Sequence, residues 1–380
     1  FGACFGVSGG YERPMWFALD GEKAEYEYSY NYQNWFPSVE YETNNTIKNV
    51  GLFDLTPFSK FEIKSDKAHQ ELQKICTADI KNEPGKCIYT HMLNSDGGIE
   101  ADLTIVCIEK NYFRIISSAA TRERDKFHIK KYISKEIQLK DITDELCVFG
   151  LFGPKSRDLI KKISKDNFEN DNFKFSTAKY ITIEGIKIWA QRLSYVGELG
   201  YELYVEFKDA KKIYELIIDK GKNFNLSNCG MHAMDIMRME SGFLHWGHDI
   251  SPEENQYQAG LSFTISKKKK EDFIGKQALE KIKNKKTKTR FVMLTLKNSK
   301  PGKPLLLHDE PIYLRDKIIG RTTSGNYSFN FKKNLAFGYI NNEILDHEIN
   351  ENNLYIEIEK IKYPAKILLK TLKQKNFKNM

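Results

Sequence analysis

The sequence has no uninterrupted run of about 18 apolar residues, so no membrane-spanning helix is expected. It has no CxxC pair, and its six scattered cysteines are typical of buried, reduced thiols rather than of a disulfide framework. It also has no GxGxxG dinucleotide fingerprint, no GxSxG nucleophile motif and no HExxH metal motif. These absences argue against cofactor binding of the Rossmann type, covalent catalysis and a resident metal ion.

What is present is the composition of a globular protein: 380 residues, 41% hydrophobic and 29% charged, which favours two or three domains. The net charge of +8 comes largely from lysine runs at residues 267–270 and 281–288. Solvated loops are the simpler interpretation of these runs, and a field that attracts an anionic ligand is the alternative. No helix-turn-helix, zinc or aromatic RNA-binding pattern indicates a nucleic-acid partner.

Strand and helix patterns alternate along most of the chain, which predicts an α+β fold. Residues 1–45 are aromatic-rich and are interpreted as an extended, irregular arm. Residues 46–285 carry the alternating pattern, and residues 286–380 contain short, closely spaced strands typical of a small β-barrel. The chain begins with Phe rather than Met, which suggests a piece of a longer polypeptide.

A glycine-containing turn at residues 94–98 joins two predicted strands into a hairpin. Period-2 counting along the second strand places Glu100, Asp102 and Thr104 on one face and apolar residues on the other. Asp102 is therefore a carboxylate just past a turn where a ligand could approach. The alternative is a solvated outer face.

A second pair of carboxylates lies in a predicted strand over residues 192–205. The same counting puts Glu198, Gly200 and Glu202 on one face, with a glycine that leaves room for a flat ligand. A carboxylate accepts two parallel hydrogen bonds well, as from a ring N–H beside an exocyclic amine. Exposed strand charges are the alternative.

A helix is predicted over residues 229–240, with an ion pair between Asp235 and Arg238 at i,i+3 spacing. Its methionines at helical spacing are interpreted as core. His232, His245 and His248 match no metal-ligand spacing, so a metal site is not expected.

These three stretches together resemble the glycine-cleavage T-protein superfamily, and more closely the folate-binding half of dimethylglycine and sarcosine dehydrogenases. Ten motifs occur in the family's order: residues 10–17 (GYERPMWF), 50–60 (VGLFDLTPFSK), 89–94 (YTHMLN), 97–104 (GGIEADLT), 151–157 (LFGPKSR), 194–202 (SYVGELGYE), 245–249 (HWGHD), 272–276 (DFIGK), 323–325 (TSG) and 336–339 (AFGY). Each motif alone is weak, and the ordered set is specific. One departure is Met234, which stands where T proteins carry an arginine.

The resemblance implies three lobes around a central tetrahydrofolate cavity, with a C-terminal β-barrel after a folate-binding domain at residues 46–285. It implies that residues 1–45 follow a flavin domain outside this chain, which would hold FAD. It implies a catalytic role for Asp102. It further implies a folate-binding set formed by Tyr195, Glu202, Glu198, Thr104, Tyr89 and Arg238.

The expected function is the capture of a formaldehyde-level or iminium-level unit, from oxidative demethylation of dimethylglycine or sarcosine, to form 5,10-methylenetetrahydrofolate. The alternatives are a freestanding aminomethyltransferase of glycine cleavage and a non-catalytic folate-binding module. The expected partners are a small methylamine-derived substrate and the flavin domain, without nucleic acid or membrane. The expected compartment is the bacterial cytoplasm or the mitochondrial matrix.

Overall fold

The computed structural model describes residues 1–283, 285, 287–350, 352–374 and 378. Asn284 and Lys286, in the second lysine run, lie outside the described residues. The strands, in chain order, are β1 (Ala3–Ser8), β2 (Tyr11–Phe17), β3 (Val50–Asp54), β4 (Ser59–Lys64), β5 (Cys87–Leu93), β6 (Ile99–Glu109), β7 (Tyr112–Ser117), β8 (Leu139–Asp141), β9 (Leu146–Phe152), β10 (Ala178–Ile183), β11 (Ile186–Gln191), β12 (Gly200–Glu206), β13 (Leu226–Cys229), β14 (Thr289–Leu296), β15 (Pro311–Leu314), β16 (Lys317–Ser328), β17 (Lys333–Asn341), β18 (Leu354–Ile358) and β19 (Ile361–Leu368). The α-helices are α1 (Phe36–Lys48), α2 (Ala68–Ile75), α3 (Arg122–Tyr132), α4 (Ser156–Ile163), α5 (Phe207–Gly221), α6 (Met231–Glu240) and α7 (Lys276–Lys283).

A six-stranded sheet in the order β10-β11-β12-β9-β3-β13 forms one lobe, and only the β13–β3 pair is parallel. Helices α4 and α5 cover one of its faces. In α5, Ile213 and Ile217 stand one turn apart and pack into the same apolar cluster as Leu159 and Ile160 of α4. The opposite face turns toward the interior of the protein, where Tyr204, Val148 and Phe53 are buried.

A second, antiparallel sheet in the order β5-β6-β7-β4-β8 forms another lobe. Its outer face packs on Leu72 and Ile75 of α2 and on Ile129 of α3. Its inner face shares a core with the six-stranded sheet through Val106 and Ile116. The predicted α+β class is therefore confirmed.

Strands β14–β19 close into a barrel in the order β14-β17-β16-β15-β18-β19, and the β14–β19 pairing completes it. Alternation explains its filling: Leu354, Ile356 and Ile358 of β18 point inward, and the residues between them are half-buried. The predicted C-terminal β-barrel is confirmed. Within the described ranges, every helix is too short or too polar to span a bilayer.

The N-terminal segment differs from its prediction. Within residues 1–45, where an irregular arm is predicted, the structure has the β1–β2 hairpin and the start of α1, whereas the residues 18–35 between them have no helix or strand, as predicted. Trp16 and Cys4 of this hairpin are buried in the core that the two sheets share. The hairpin was missed because apolar and aromatic residues do not alternate cleanly here, since Met15 of β2 is an extra residue opposite the Cys4–Phe5 step of β1.

Glu42 of α1 attaches this hairpin to α6. Its Oε1 accepts the backbone N–H of Phe17 at 2.6 Å, and its Oε2 accepts that of Gly230 at 2.8 Å. Burial raises the pKa of this carboxyl to about 8, against the lowering effect of those two N–H groups. The Glu42 carboxyl of the folded state therefore keeps its proton up to a higher pH than in the unfolded chain, where its pKa is about 4.3.

We expect the contribution of Glu42 to stability to be complete below about pH 4.3 and to be lost as pH rises to about 8. The decline is at most about 1.4 kcal/mol per pH unit for one proton. Glu42→Gln, which does not titrate, is expected to have a flatter profile from pH 5 to 8 in urea unfolding. Parallel profiles for the two proteins would contradict the assignment.

Candidate functional site

Asp102 is placed by the β5–β6 hairpin. The turn closes through Asn94, whose side-chain oxygen accepts the Gly98 N–H at 2.9 Å. A side chain at Gly98 would lie 1.9 Å from the Pro252 carbonyl oxygen, so this close approach requires glycine. Beyond the turn, Ala101 and Leu103 are buried in the outer core, and Asp102 and Thr104 face inward. The predicted alternation is confirmed.

Asp102 lies within reach of two polar side chains on β5. Its direct cross-strand partner is His91, and Tyr89 Oη is 3.4 Å from Asp102 Oδ2. Burial, followed by the nearby charge of Asp125, raises the pKa of Asp102 to about 7. The carboxyl can therefore both donate and accept a proton near neutral pH, which is what general acid–base chemistry requires.

Glu202 lies on β12 of the facing sheet, with its cross-strand neighbours Gln191 on one side and Gly150 on the other. Its Oε2 accepts the Tyr204 hydroxyl at 2.9 Å, and burial raises its pKa to about 7. Gln191 is fully buried on the same face, and neither its Oε1 nor its Nε2 has a partner among the described residues. A buried amide without partners costs free energy, so Gln191 is a candidate for binding a polar ligand.

Asp102 and Glu202 belong to one continuous interior surface. The charge of Glu202 helps to raise the pKa of the Cys87 thiol, which places Cys87 beside Glu202. Cys87 and Tyr89 occupy the same face of β5, about 7 Å apart along the strand. Tyr89, which is 39% exposed, in turn contacts Asp102. The two carboxyls therefore lie at the ends of a short strip that is open to solvent at Tyr89.

Tyr195 and Thr104 also lie on this surface. The Tyr195 hydroxyl donates to the Leu244 carbonyl oxygen at 3.0 Å. Burial raises the pKa of Tyr195, and the charges of Asp102 and Asp235 add to the rise, so Tyr195 stands near both carboxylates. Thr104 is half-buried between Tyr89 on β5 and Ile116 on β7.

Arg238 is the centre of a buried ion-pair network. Its Nη1 contacts Asp249 Oδ2 at 2.5 Å and the Phe243 carbonyl oxygen at 3.1 Å. Its Nε contacts Asp235 Oδ1 at 2.8 Å, and its Nη2 donates to Ser324 Oγ on β16 at 2.8 Å. The predicted Asp235–Arg238 pair is confirmed. The protein itself occupies four of the five N–H donors, and the folate contact of Arg238 stays a prediction that has one donor left to make it.

Glu198 departs from its predicted position. Strand β12 begins only at Gly200, so the alternation counted back from Glu202 does not extend to Glu198. Its carboxylate instead forms an ion pair with Lys373 near the C-terminus, and both side chains are largely buried. The chain between Arg192 and Leu199 turns rather than extends, and period-2 counting fails there.

In the described part of the chain, no group of three or more His, Cys, Asp or Glu side chains is arranged to hold a metal ion. All six cysteines are free and buried, as predicted. Two surface clefts, of about 600 Å³ and about 340 Å³, lie elsewhere: one is near Arg114 and the other near Lys281. Neither cleft includes Asp102 or Glu202.

Sequence reasoning missed three groups of this site. Gln191 carries no motif, and its lack of a partner is visible only in three dimensions. Asp249 was noted only as part of a motif, although its carboxylate accepts four hydrogen bonds. His91 is bonded to Thr264, 173 residues away, which no local pattern could indicate.

Comparison with known proteins gives two family models that together match most of the chain. The GCVT N-terminal domain matches residues 1–269, and the glycine cleavage T-protein C-terminal barrel domain matches residues 289–372. The second match coincides with the barrel strands β14–β19.

Curated relatives include dimethylglycine dehydrogenase of Rattus norvegicus, a mitochondrial protein that is 34% identical over 97% of this chain and 42% of its own length. They also include 4-methylaminobutanoate oxidase (formaldehyde-forming) of Paenarthrobacter nicotinovorans, 37% identical over 86% of this chain and 39% of its own length. The chain thus spans about two fifths of the length of these relatives.

Among solved structures, the glycine cleavage system aminomethyltransferase T of Bartonella henselae superposes with a TM-score of 0.81. The superposition covers 96% of this chain and 93% of the Bartonella henselae chain, at 20% sequence identity. This match shows that the two proteins share a fold.

Proposed function

The chain belongs to the glycine-cleavage T-protein family, and on that premise we propose that it binds tetrahydrofolate and adds to it a one-carbon unit at the oxidation level of formaldehyde. The product would be 5,10-methylenetetrahydrofolate. Members of this family bind tetrahydrofolate, and the relatives named above are enzymes. The observation that carries the proposal is the pair of carboxyls at the two ends of one interior strip, of which Glu202 is buried and Asp102 is half-buried.

The residues at Glu202 fit the pterin ring of a folate. A pyrimidinone edge presents a ring N–H and an amine side by side, and a carboxylate accepts both donors at once. Tyr204 already holds Glu202 Oε2, which fixes the direction of the carboxylate. The unpartnered Gln191 amide, directly across from Glu202, can serve the remaining polar atom of such a ring.

The residues at Asp102 fit the chemistry of transfer. When bound, tetrahydrofolate supplies the nitrogen nucleophile that accepts the one-carbon unit. In its acid form, Asp102 can donate a proton to the departing amine or water, and in its carboxylate form it can stabilise positive charge on the incoming carbon. Its pKa of about 7 makes both forms available. Tyr89 and Tyr195 line the approach to this carboxyl.

The donor we propose is an N-methylated amine such as dimethylglycine or sarcosine, oxidised by an FAD-bearing domain of the same polypeptide or complex. The names of two relatives support this choice, because they describe a dimethylglycine dehydrogenase and a formaldehyde-forming methylaminobutanoate oxidase. Met234, buried where T proteins carry an arginine, argues against an aminomethyl-lipoyl donor. The compartment we propose is the bacterial cytoplasm or the mitochondrial matrix.

Titration of the protein with tetrahydrofolate, followed by quenching of intrinsic fluorescence, tests the folate site. We expect Glu202→Gln to weaken binding by about 10-fold to 100-fold, since hydrogen bonds to a charged group contribute about 1.5–3 kcal/mol. Glu198→Gln is the matched control: it changes the same residue type four positions away, at a carboxylate held by Lys373. Its affinity should stay within a few fold of wild type. No binding by the wild-type protein would end the proposal.

A further inference from the structure

His91 is a fully buried histidine that contacts Tyr89 on the inward face of β5. It is the cross-strand partner of Asp102. Its Nε2 is 3.2 Å from Tyr89 Oη, and its Nδ1 is 3.0 Å from Thr264 Oγ1. A chain of hydrogen bonds therefore runs from Thr264 through His91 and Tyr89 to Asp102, and its direction depends on which imidazole nitrogen carries the proton.

Thr264 fixes that choice. Its hydroxyl donates to the Leu261 carbonyl oxygen at 2.7 Å, so its oxygen is left to accept from His91. Nδ1 must then carry the proton, which leaves the lone pair on Nε2. The Gln256 amide nitrogen lies 3.5 Å from His91 Nδ1, and a half-turn of this amide would bring its unpartnered Oε1 into position to accept from Nδ1–H.

The His91 tautomer determines which group accepts the hydrogen bond from the Tyr89 hydroxyl. Burial lowers the pKa of His91 to about 3. Desolvation of the Tyr89 hydroxyl and the charge of Asp102 raise the pKa of Tyr89 well above its usual value, so both groups stay neutral. His91 Nε2, at 3.2 Å, competes for the Tyr89 proton with Asp102 Oδ2, at 3.4 Å. When Tyr89 donates to His91, only an oxygen lone pair is turned toward Asp102.

We propose that His91 is a positioning residue that draws the Tyr89 proton away from Asp102 and thereby favours the protonated, hydrogen-bond-donating form of Asp102. Its role in one-carbon transfer rests on the proposed function, whereas the proton arrangement does not.

The other groups around Asp102 are compatible with this arrangement. Asp125 of α3 is an acid whose negative charge also disfavours an ionised Asp102. Its own hydrogen bond comes from Thr121, at 2.7 Å. Tyr195 already donates to the Leu244 carbonyl oxygen, so its proton is engaged elsewhere. The cation Arg124 forms an ion pair with Glu100, which occupies it.

The experiment follows the Asp102 carboxyl directly, by carbon NMR of the full chain labelled at aspartate Cγ and titrated without folate. The Asp102 signal is the one that Asp102→Asn removes. His91→Leu deletes the acceptor nitrogen and frees the Tyr89 proton to stabilise the Asp102 carboxylate. We expect proton binding by Asp102 to weaken about tenfold, which is about one pKa unit downward. His91→Gln, whose side-chain oxygen can still accept, should stay nearer to wild type.

Tyr89→Phe gives an independent answer if the His91 variants fold poorly. In the proposed arrangement the Tyr89 oxygen accepts from protonated Asp102, so its removal should lower the Asp102 pKa. If Tyr89 instead donates to Asp102, its removal should raise that pKa, and the proposal is overturned. In the Tyr89→Phe background, His91→Leu should cause no further shift in the Asp102 pKa, because the relay, the hydrogen-bond chain from Thr264 through His91 and Tyr89 to Asp102, is already interrupted at Tyr89.

Two results separate this inference from the proposed function. An unchanged Asp102 titration in folded His91→Leu overturns the relay, whatever the transfer activity. If the expected shifts appear, the relay stands even when no one-carbon transfer is found. If transfer is also present, the pH dependence of its rate in His91→Leu should move to lower pH with the carboxyl.

Discussion

Asp102→Asn is expected to lower the rate of one-carbon transfer to tetrahydrofolate by about 10²-fold to 10⁴-fold, the range typical of losing a general acid–base group. The amide keeps the shape of the side chain but neither ionises nor exchanges a proton near neutral pH. Folate affinity should change by no more than a few fold, because Glu202 and Gln191, at the other end of the strip, are proposed to hold the pterin. Rapid-quench measurement of transfer, beside the fluorescence titration, checks both parts.

Glu100→Gln is the matched control for that substitution. Glu100 lies on the same strand and face, two residues before Asp102, but it forms an ion pair with Arg124 rather than contacting Tyr89. Its loss should leave the transfer rate within a few fold of wild type. If Asp102→Asn transfers at the wild-type rate, Asp102 is not the acid–base group, and a non-catalytic folate-binding module becomes the better description of the chain.

The strand faces were predictable because they depend on local periodicity. Asp102 was placed correctly, since an alternating run from Ile99 to Ile105 leaves only one register that buries the apolar side chains. Glu198 was misplaced because the same counting was carried back past Gly200, where the chain stops being extended. A single sequence shows the period of a strand more clearly than its first residue.

The contacts that tune the site were not predictable from the sequence. Thr264 approaches His91 from 173 residues away, and Ser324 reaches Arg238 from 86 residues away, in the barrel. Gln191 resembles any polar strand residue until its burial opposite Glu202 is seen. Such groups are specified by tertiary packing, so motifs could indicate Asp102 as the proposed catalytic carboxyl but not the side chains that surround it.

The network around Arg238 is the second place where a large effect is expected. Asp249 is fully buried, and its carboxylate accepts from Arg238, from the His245 N–H and from the hydroxyls of Thr323 and Ser324. Asp249→Ala removes the carboxylate and leaves the Arg238 guanidinium buried with only Asp235 as a charged partner. We expect a loss of about 3–5 kcal/mol in the free energy of unfolding, which is the cost of breaking a buried ion pair from one side.

Asp346→Ala is the matched control for Asp249→Ala, because it breaks an ion pair on the surface of the protein. Asp346 pairs with Arg290 at 2.6 Å on the barrel surface, where the Asp346 side chain is 77% exposed, and its loss should cost less than about 1 kcal/mol. Both values come from urea unfolding at one pH and salt concentration. Equal costs for the two substitutions would show that the Arg238 network is no more important than a surface pair.

The decisive variant removes both charges of the buried pair. Arg238→Met in the Asp249→Ala background takes away the unpaired cation, so stability should partly recover, and the two substitutions should be far from additive. Additive losses would mean that packing rather than charge compensation accounts for the cost. Asp249 and Ser324 join α6 to the barrel, so the same variants test whether this contact orients Asp235 beside Tyr195. If it does, Asp249→Ala should slow one-carbon transfer to tetrahydrofolate even in molecules that remain folded.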